Sequence, residues 1–272
     1  MVCILSFNQE YEDLRKEVEA LKEKYAERLT FYSDESTHHR KFLETRYMMT
    51  IGQREFELFS KKFEIARIRR EIALYQSALN NGKQLSATTV QAILDDEFAK
   101  YKQEIEEKQK EIELAEERFL APKLSQEKAI EMTKLYKGLL FKLHPDLNPE
   151  LPEKAVELMN RIQEAFQTGN WPELMLLADL AEAFLGKKAD QSQPSMNQME
   201  ALLRQKDTLK EKLATLEKRI EELQSRPPFT FQELLNNPDA ILKRRAELAT
   251  ELELLQQLYD SLSQIRDKLK NP

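Results

Sequence analysis

The chain has 272 residues, of which 33% are charged and only five are glycine, and its formal net charge is −6. Leu, Glu, Lys, Gln and Ala fill most windows, a composition typical of long helices and coiled coils rather than of sheets. Neither GxGxxG nor GxxxxGK[ST] is present, which argues against nucleotide-binding enzymes. The mixed-sign charge pattern lacks the basic block expected of a nucleic-acid-binding protein.

Cys3 is the only cysteine. A disulfide framework and a cysteine-based zinc site are therefore excluded, which fits a reducing compartment. No apolar run approaches the roughly 18 residues that a membrane span needs, and the apolar start Val2 to Phe7 is too short for a signal sequence. We therefore expect a cytoplasmic protein that binds neither membrane nor nucleic acid.

The N-terminal part carries the pattern of long amphipathic helices. Apolar residues recur at steps of three and four from Tyr11 to Leu29 and again from Phe42 to Leu79. Three long helices folding back on one another are predicted, forming an antiparallel bundle or coiled coil over residues 1–118. The expected breaks are residues 33–36 and 80–82, and Ser86 is expected to cap the third helix.

The middle of the chain predicts a helical hairpin with a support helix. A fourth helix begins at Ser125 and ends before Pro145, because proline disfavours helical geometry at His144. Pro152 fits the first turn of the next helix, which should end at residues 168–170. Trp171 then opens a short apolar helix. These elements form a predicted module over residues 119–186.

The C-terminal part has a seven-residue apolar rhythm from Met199 to Leu223 and from Ile241 to Leu269. A polar linker over residues 187–195 precedes it, and a proline-rich reversal separates the two runs. An antiparallel coiled-coil hairpin over residues 196–272 is therefore predicted. The fold class is all-α. The charged residues that interrupt the apolar runs, and are candidates for fixing their register, are Lys206, Arg244 and Arg245.

The three histidines are the first candidates for chemistry. His38 and His39 are adjacent, so on a helix they point about 100° apart and cannot share one metal ion. We expect them to form a solvated surface pair or to lie at a helix start, and we expect no metal site and no cofactor. His144 differs, because it lies at a helix end before proline, in a loop that also holds Asp146.

The residues around His144 resemble a known family. Residues 135–149 read LYKGLLFKLHPDLNP and resemble the second helix and signature loop of a J-domain. Residues 159–166 read MNRIQEAF and are similar to the third helix of that domain. The resemblance covers about residues 119–167. The apolar residues predicted to form the core between the two helices are Tyr136, Leu139, Leu140, Leu143, Met159, Ile162, Ala165 and Phe166.

The resemblance implies a co-chaperone that binds a DnaK-type chaperone, the seventy-kilodalton heat-shock class, and stimulates its ATP hydrolysis. The chain itself would not be an enzyme. Residues 123–142 hold five lysines against two glutamates, whereas residues 146–182 hold eight acidic residues against two basic ones, a pattern suited to steering a protein partner. By resemblance, the partner-binding loop would be His144, Pro145 and Asp146, and the basic helix face would carry Lys134, Lys137 and Phe141.

The sequence departs from the J-domain pattern in several places. Gly138 stands where a second basic residue is usual, and Leu147 replaces the usual Lys or Arg after the loop motif. The short first helix is not evident, and we expect its place to be taken by the end of the long helix near residues 112–120. The Gly/Phe-rich segment and CxxC repeats of general-purpose DnaJ chaperones are absent. A specialised member is implied, with coiled-coil arms for client binding, positioning or homo-oligomerisation.

Two other functions compete with this one. A coiled-coil scaffold could retain a degenerate J-like hairpin as a spacer, and Gly138 and the missing first helix support that reading. An enzyme could use His144 and Asp146 as an acid–base pair, but no nucleophile pattern, metal-ligand set or glycine loop accompanies them.

Overall fold

The structure is a computed structural model that describes residues 2–122, 124–185 and 195–270. Every regular element in these ranges is helical and none is a strand, so the predicted all-α class is confirmed. No described helix combines the length and apolar character needed to cross a bilayer.

Eleven α-helices follow one another along the described chain. Short π-helical turns connect the first three, and a 3₁₀ turn, Phe229–Phe231, precedes the tenth. The helices are α1 (Val2–Asp34), α2 (Arg40–Tyr47), α3 (Gln53–Asn80), α4 (Ala87–Glu97), α5 (Ala99–Leu120), α6 (Gln126–Leu143), α7 (Glu153–Gln167), α8 (Trp171–Leu185), α9 (Met196–Gln224), α10 (Gln232–Leu235) and α11 (Pro238–Lys270).

The predicted break at residues 33–36 is wrong. Helical backbone continues from α1 to α3 through two π-helical turns, Glu35–His39 and Met48–Gly52. The first turn contains no glycine or proline, so nothing in it forbids a helix. Its hydroxyl groups bond within the helix instead of capping a new one: the Ser36 and Thr37 side chains both donate to the Ser33 carbonyl oxygen, at 3.2 and 2.5 Å.

The described residues divide into two compact units, each built from two stretches of sequence. The first unit comprises Met1–Lys41 with Pro122–Phe229, and the second comprises Phe42–Ala121 with Thr230–Pro272. The predicted bundle over residues 1–118 and the predicted module over residues 119–186 are therefore not separate domains. The first unit joins residues 1–41 of the former to the described residues of the latter from Pro122 onward.

In the first unit, α1 pairs with α9 in parallel. Glu17 meets Lys206 at 2.7 Å, and Arg28 meets Glu217 at 2.7 Å, so positions on both helices advance in the same direction. Lys206, a predicted candidate for fixing register with α11, therefore forms an ion pair with α1 instead. The buried apolar side chains between the two helices are Leu14, Val18, Tyr25, Ala26, Leu209, Leu213, Leu216 and Ile220.

In the second unit, α3 pairs in parallel with α11. Arg244 bonds to Glu55 at 2.8 Å across 189 residues of sequence, the same separation that joins Lys206 to Glu17 in the first unit. After α3, Gly82 adopts a left-handed conformation with φ of 63°, which glycine tolerates and which reverses the chain. The Ser86 side chain then caps α4, as predicted, by accepting from the Thr89 amide at 3.1 Å.

The predicted antiparallel hairpin of residues 196–272 is wrong, because α9 packs on α1 and α11 packs on α3. A heptad pattern shows that an apolar stripe will be buried, but neither the partner nor the direction of pairing follows from it. Most of the predicted linker, residues 187–194, lies outside the described residues. Ser195 at its end caps α9 in a reciprocal capping box with Gln198.

Candidate functional site: the loop between α6 and α7

The loop begins where proline ends α6. The His144 amide makes the last helical bond, to the Leu140 carbonyl at 2.9 Å, and His144 itself is extended, with φ −68° and ψ 129°. The amides of Leu147 and Asn148 both donate to the His144 carbonyl at 3.0 Å. The Asn148 side chain donates to the Phe141 carbonyl at 2.8 Å. These bonds satisfy groups that the helix end leaves free and hold the loop in one shape.

The helices on either side of the loop share one apolar core with α8. Tyr136 stacks on Phe166 with a centroid separation of 4.0 Å and an interplanar angle of 6°. Stacking of two rings adds to the stabilisation from burial. All eight residues of the expected hairpin core are buried: Tyr136, Leu139, Leu140, Leu143, Met159, Ile162, Ala165 and Phe166.

The end of α1 supports this hairpin, in place of the segment predicted to do so. Leu29 packs against the hairpin core, and the Ser33 hydroxyl lies 3.3 Å from the Tyr136 hydroxyl. Residues 112–120, expected at this position, belong to the second unit. Sequence proximity misled the prediction, because α1 is remote in the chain but carries the apolar face that meets α6.

The two remaining histidines contribute to packing in the first unit. A His38 ring nitrogen lies 2.8 Å from the Phe166 carbonyl oxygen, and the ring meets Phe166 edge-on at 5.1 Å. His39 lies 2.7 Å from the buried Glu35 carboxylate. Both are half-buried inside a π-helical turn, so the prediction of a solvated pair or a helix start is wrong. Among the described residues, no group of three or more side chains could hold a metal ion.

Asp146 is held by three partners within the first unit. The Tyr25 hydroxyl donates to one carboxylate oxygen at 2.8 Å, and the Lys212 ammonium donates to the other at 2.8 Å. The Asp146 backbone amide donates to His144 Nδ1 at 3.1 Å, whereas that nitrogen is 3.9 Å from the Asp146 carboxylate. The imidazole therefore accepts from the backbone and does not share a proton with the carboxylate.

The charges of the two side chains respond to this environment. Burial lowers the pKa of His144, and Lys212 adds to that effect, against the attraction of Asp146. Burial opposes ionisation of Asp146, but the hydrogen bonds from Lys212 and Tyr25 outweigh it, so the pKa of Asp146 is lowered. Near neutral pH the loop therefore carries a neutral imidazole and a charged carboxylate.

The loop is only partly open to solvent. The side chain of His144 is 22% exposed and that of Asp146 is 34% exposed, whereas Leu147 is fully buried between α1 and α9. Sequence reasoning missed Tyr25 and Lys212 as contacts of the loop. Tyr25 was visible only as one member of an apolar stripe, and no local signal marked Lys212, which lies 66 residues from its partner.

The side chains of the predicted basic face differ in their exposure to solvent. Lys134 is exposed and Lys137 is half-buried, and no ion pair involves either among the described residues. Phe141 is half-buried and packs against the α1–α9 core, whereas Lys134 lies on open surface. It also lines a cavity of about 500 Å³ beside Lys142 and Asn148.

The Asp146 carboxylate is poorly placed to act as a general base. Hydrogen bonds hold the backbone of the loop, both oxygens of its carboxylate accept from donors, and lysines lie on the helix that leads into it. A carboxylate that already accepts from an ammonium and a phenol is a poor general base. Comparisons of the chain with protein-family models, curated proteins and solved structures find no match.

Proposed function

We propose that this protein is a J-domain co-chaperone, which binds a DnaK-type chaperone and stimulates its ATP hydrolysis without being an enzyme itself. The observation that carries the proposal is the proline-terminated loop between two antiparallel helices. It presents His144, Pro145 and Asp146 at the end of a well-packed hairpin whose leading helix carries exposed lysine. The resemblance of residues 135–149 and 159–166 to J-domain helices supports the same function.

Charge favours a protein partner for this module. Lys134 and Lys137 are available on α6 for a facing acidic surface, and electrostatic complementarity raises association rates and selects partners. The loop would act on a two-state partner only through contacts that favour its hydrolysis-competent state. The paired helices outside the hairpin, α1 with α9 and α3 with α11, would position the module or bind client protein.

The direct test is the ATP turnover of a DnaK-type chaperone with the full chain added. His144→Gln should reduce stimulation by at least about tenfold, because interface energy is concentrated in a few residues and tenfold corresponds to the loss of one such contact. The matched control is Asn160→Gln, an exposed amide on α7 away from the loop, which should stimulate like the wild type.

Circular dichroism of each variant would show that helix content is retained. Stimulation that survives His144→Gln unchanged would contradict the proposed role of the loop. Absence of stimulation by the wild-type chain, with chaperones from several sources, would contradict the function itself.

A coiled-coil scaffold is the second candidate, and the coverage of the loop favours it. Leu147 is fully buried between α1 and α9, and Asp146 already has two side-chain donors. In a scaffold these contacts would be purely structural. That function predicts no chaperone stimulation by any variant, including those that uncover the loop.

A further inference from the structure

The inner face of the loop is covered by α9. Leu147 has no exposed surface and packs with Leu209 and Leu213 of α9. The Gln205 amide lies at 3.5 Å from the Leu147 carbonyl oxygen, at the limit of a hydrogen bond. One stretch of α9, from Gln205 to Leu213, thus provides the apolar and polar contacts that hold the loop down.

The same stretch also binds the functional carboxylate. Lys212 donates to Asp146 at 2.8 Å, and Tyr25 of α1 occupies the other oxygen. A partner that needs this carboxylate must therefore compete with a cation that belongs to the protein itself. Asp146 would be available in full only when Lys212 has moved away.

We propose that α9 is an internal latch that withholds the His144-Pro145-Asp146 loop, and that release of Lys212 and the neighbouring turns of α9 exposes it. The inference rests on the proposed co-chaperone function and adds its regulation. In the latched form the loop binds a chaperone weakly. In the released form the carboxylate is free.

Two features make the latch reversible. Lys212 and Asp146 are 36% and 34% exposed, so solvent screens their attraction, and such pairs change an equilibrium constant by only about two- to fivefold. A cavity of about 1180 Å³ also lies along the first half of α9, lined by Pro145, Pro149, Leu202 and Gln205 among others. Solvent therefore reaches this side of α9 and the loop, where release would begin.

The latch also accounts for the residue that follows the motif. A basic side chain at position 147 would place a charge in the apolar interface between α1 and α9, at a high desolvation cost. Leucine fills this position without that cost. The departure from the J-domain pattern at Leu147 is thus what the covering helix requires.

The test compares Lys212→Met with two controls in the full chain. Lys212→Met removes the ammonium and keeps a similar stem, Lys212→Arg keeps a cation, and Lys218→Met removes an exposed lysine elsewhere on α9. The first readout is the concentration for half-maximal stimulation of a DnaK-type ATPase. The second is amide hydrogen exchange of residues 144–150, which needs no chaperone.

Lys212→Met should lower the half-maximal concentration by about two- to fivefold, since apparent affinity scales with the fraction of competent form. Exchange of the loop should become faster by a similar factor, and both controls should behave as the wild type. Unchanged exchange, or a half-maximal concentration that stays the same or rises, overturns the latch. If no form of the chain stimulates the ATPase, the proposed function fails, and the exchange measurement alone decides whether Lys212 holds the loop.

Discussion

Folding disfavours the protonated, charged form of the His144 imidazole. Burial lowers the pKa of its imidazole below the usual value of 6.5, so the folded state binds a proton less readily than the unfolded state. Stability therefore rises with pH around and below that value and is lost on acidification. The lowered pKa of Asp146 acts in the same direction at lower pH, since the carboxylate stabilises the fold only while it is ionised.

The lowered pKa of His144 predicts that stability depends on pH and that one substitution weakens this dependence. Between about pH 7 and pH 5.5, the free energy of unfolding of the first unit should fall in the wild type and fall less in His144→Gln. Trp171, the only tryptophan, packs half-buried on the hairpin core, so its fluorescence in urea follows this unit. Equal pH slopes for the two proteins would show that His144 is not a source of the acid sensitivity.

At the same scale, the site was only partly predictable. Pro145 predicts the end of α6, and the spacing of the apolar residues predicts the hairpin core, because both signals are local in sequence. The partners of Asp146 could not be predicted from the sequence, because Tyr25 lies 121 residues away from it and Lys212 lies 66 residues away. Nothing in the sequence around a charged residue on the surface of a heptad helix indicates which carboxylate it will pair with.

At the scale of the helices, several boundaries fall where the sequence carries a cap or a breaker. Ser125 caps α6 by accepting from the Lys128 amide, and Gly169 takes a φ of 71° where α7 ends. Two boundaries failed. The polar residues 33–36 do not break the helix, and the predicted third helix divides at Phe98, which carries no breaker signal.

The packing of α9 on α1 leads to a second stability prediction. Leu213→Ala should lower the free energy of unfolding of the first unit by about 2–5 kcal/mol, because it removes a buried side chain from the α1–α9 core. Leu203→Ala, on the exposed side of the same helix, should change it by less than about 0.5 kcal/mol. Urea unfolding followed by Trp171 fluorescence measures both.

This outcome separates the two arrangements of α9. In the hairpin predicted from the sequence, a change at Leu213 would loosen only the C-terminal arm. In the structure, Leu213 and Leu147 share one core, so the change reaches the candidate loop. A Trp171 transition that is unmoved by Leu213→Ala would favour the hairpin.

At the scale of the whole molecule, the chain order and the packing order differ. Residues of α1 contact residues of α9 that lie 189 positions later in the sequence, and in the second unit α3 and α11 are joined across the same separation. Such pairing has a high loop-closure cost, and the apolar face of α1 stays incomplete until α9 is made. Local pairing has a lower loop-closure cost, yet α1 and α9 pair although the hairpin α6–α7 and the support helix α8 are among the elements that separate them in sequence.

Zero-length carbodiimide cross-linking tests this pairing directly, since it joins only ammonium and carboxylate groups that touch. Glu17 should link to Lys206, and Lys62 should link to Glu251, because both pairs are 2.7 Å apart. In a mixture of ¹⁴N- and ¹⁵N-labelled protein, mass spectrometry should find each linked peptide pair in one isotope only. Mixed-isotope pairs would mean that the helices exchange partners between chains, and Glu17→Gln should abolish the first link in either case. Linked pairs of a single isotope would confirm that α1 pairs with α9, and α3 with α11, within one chain.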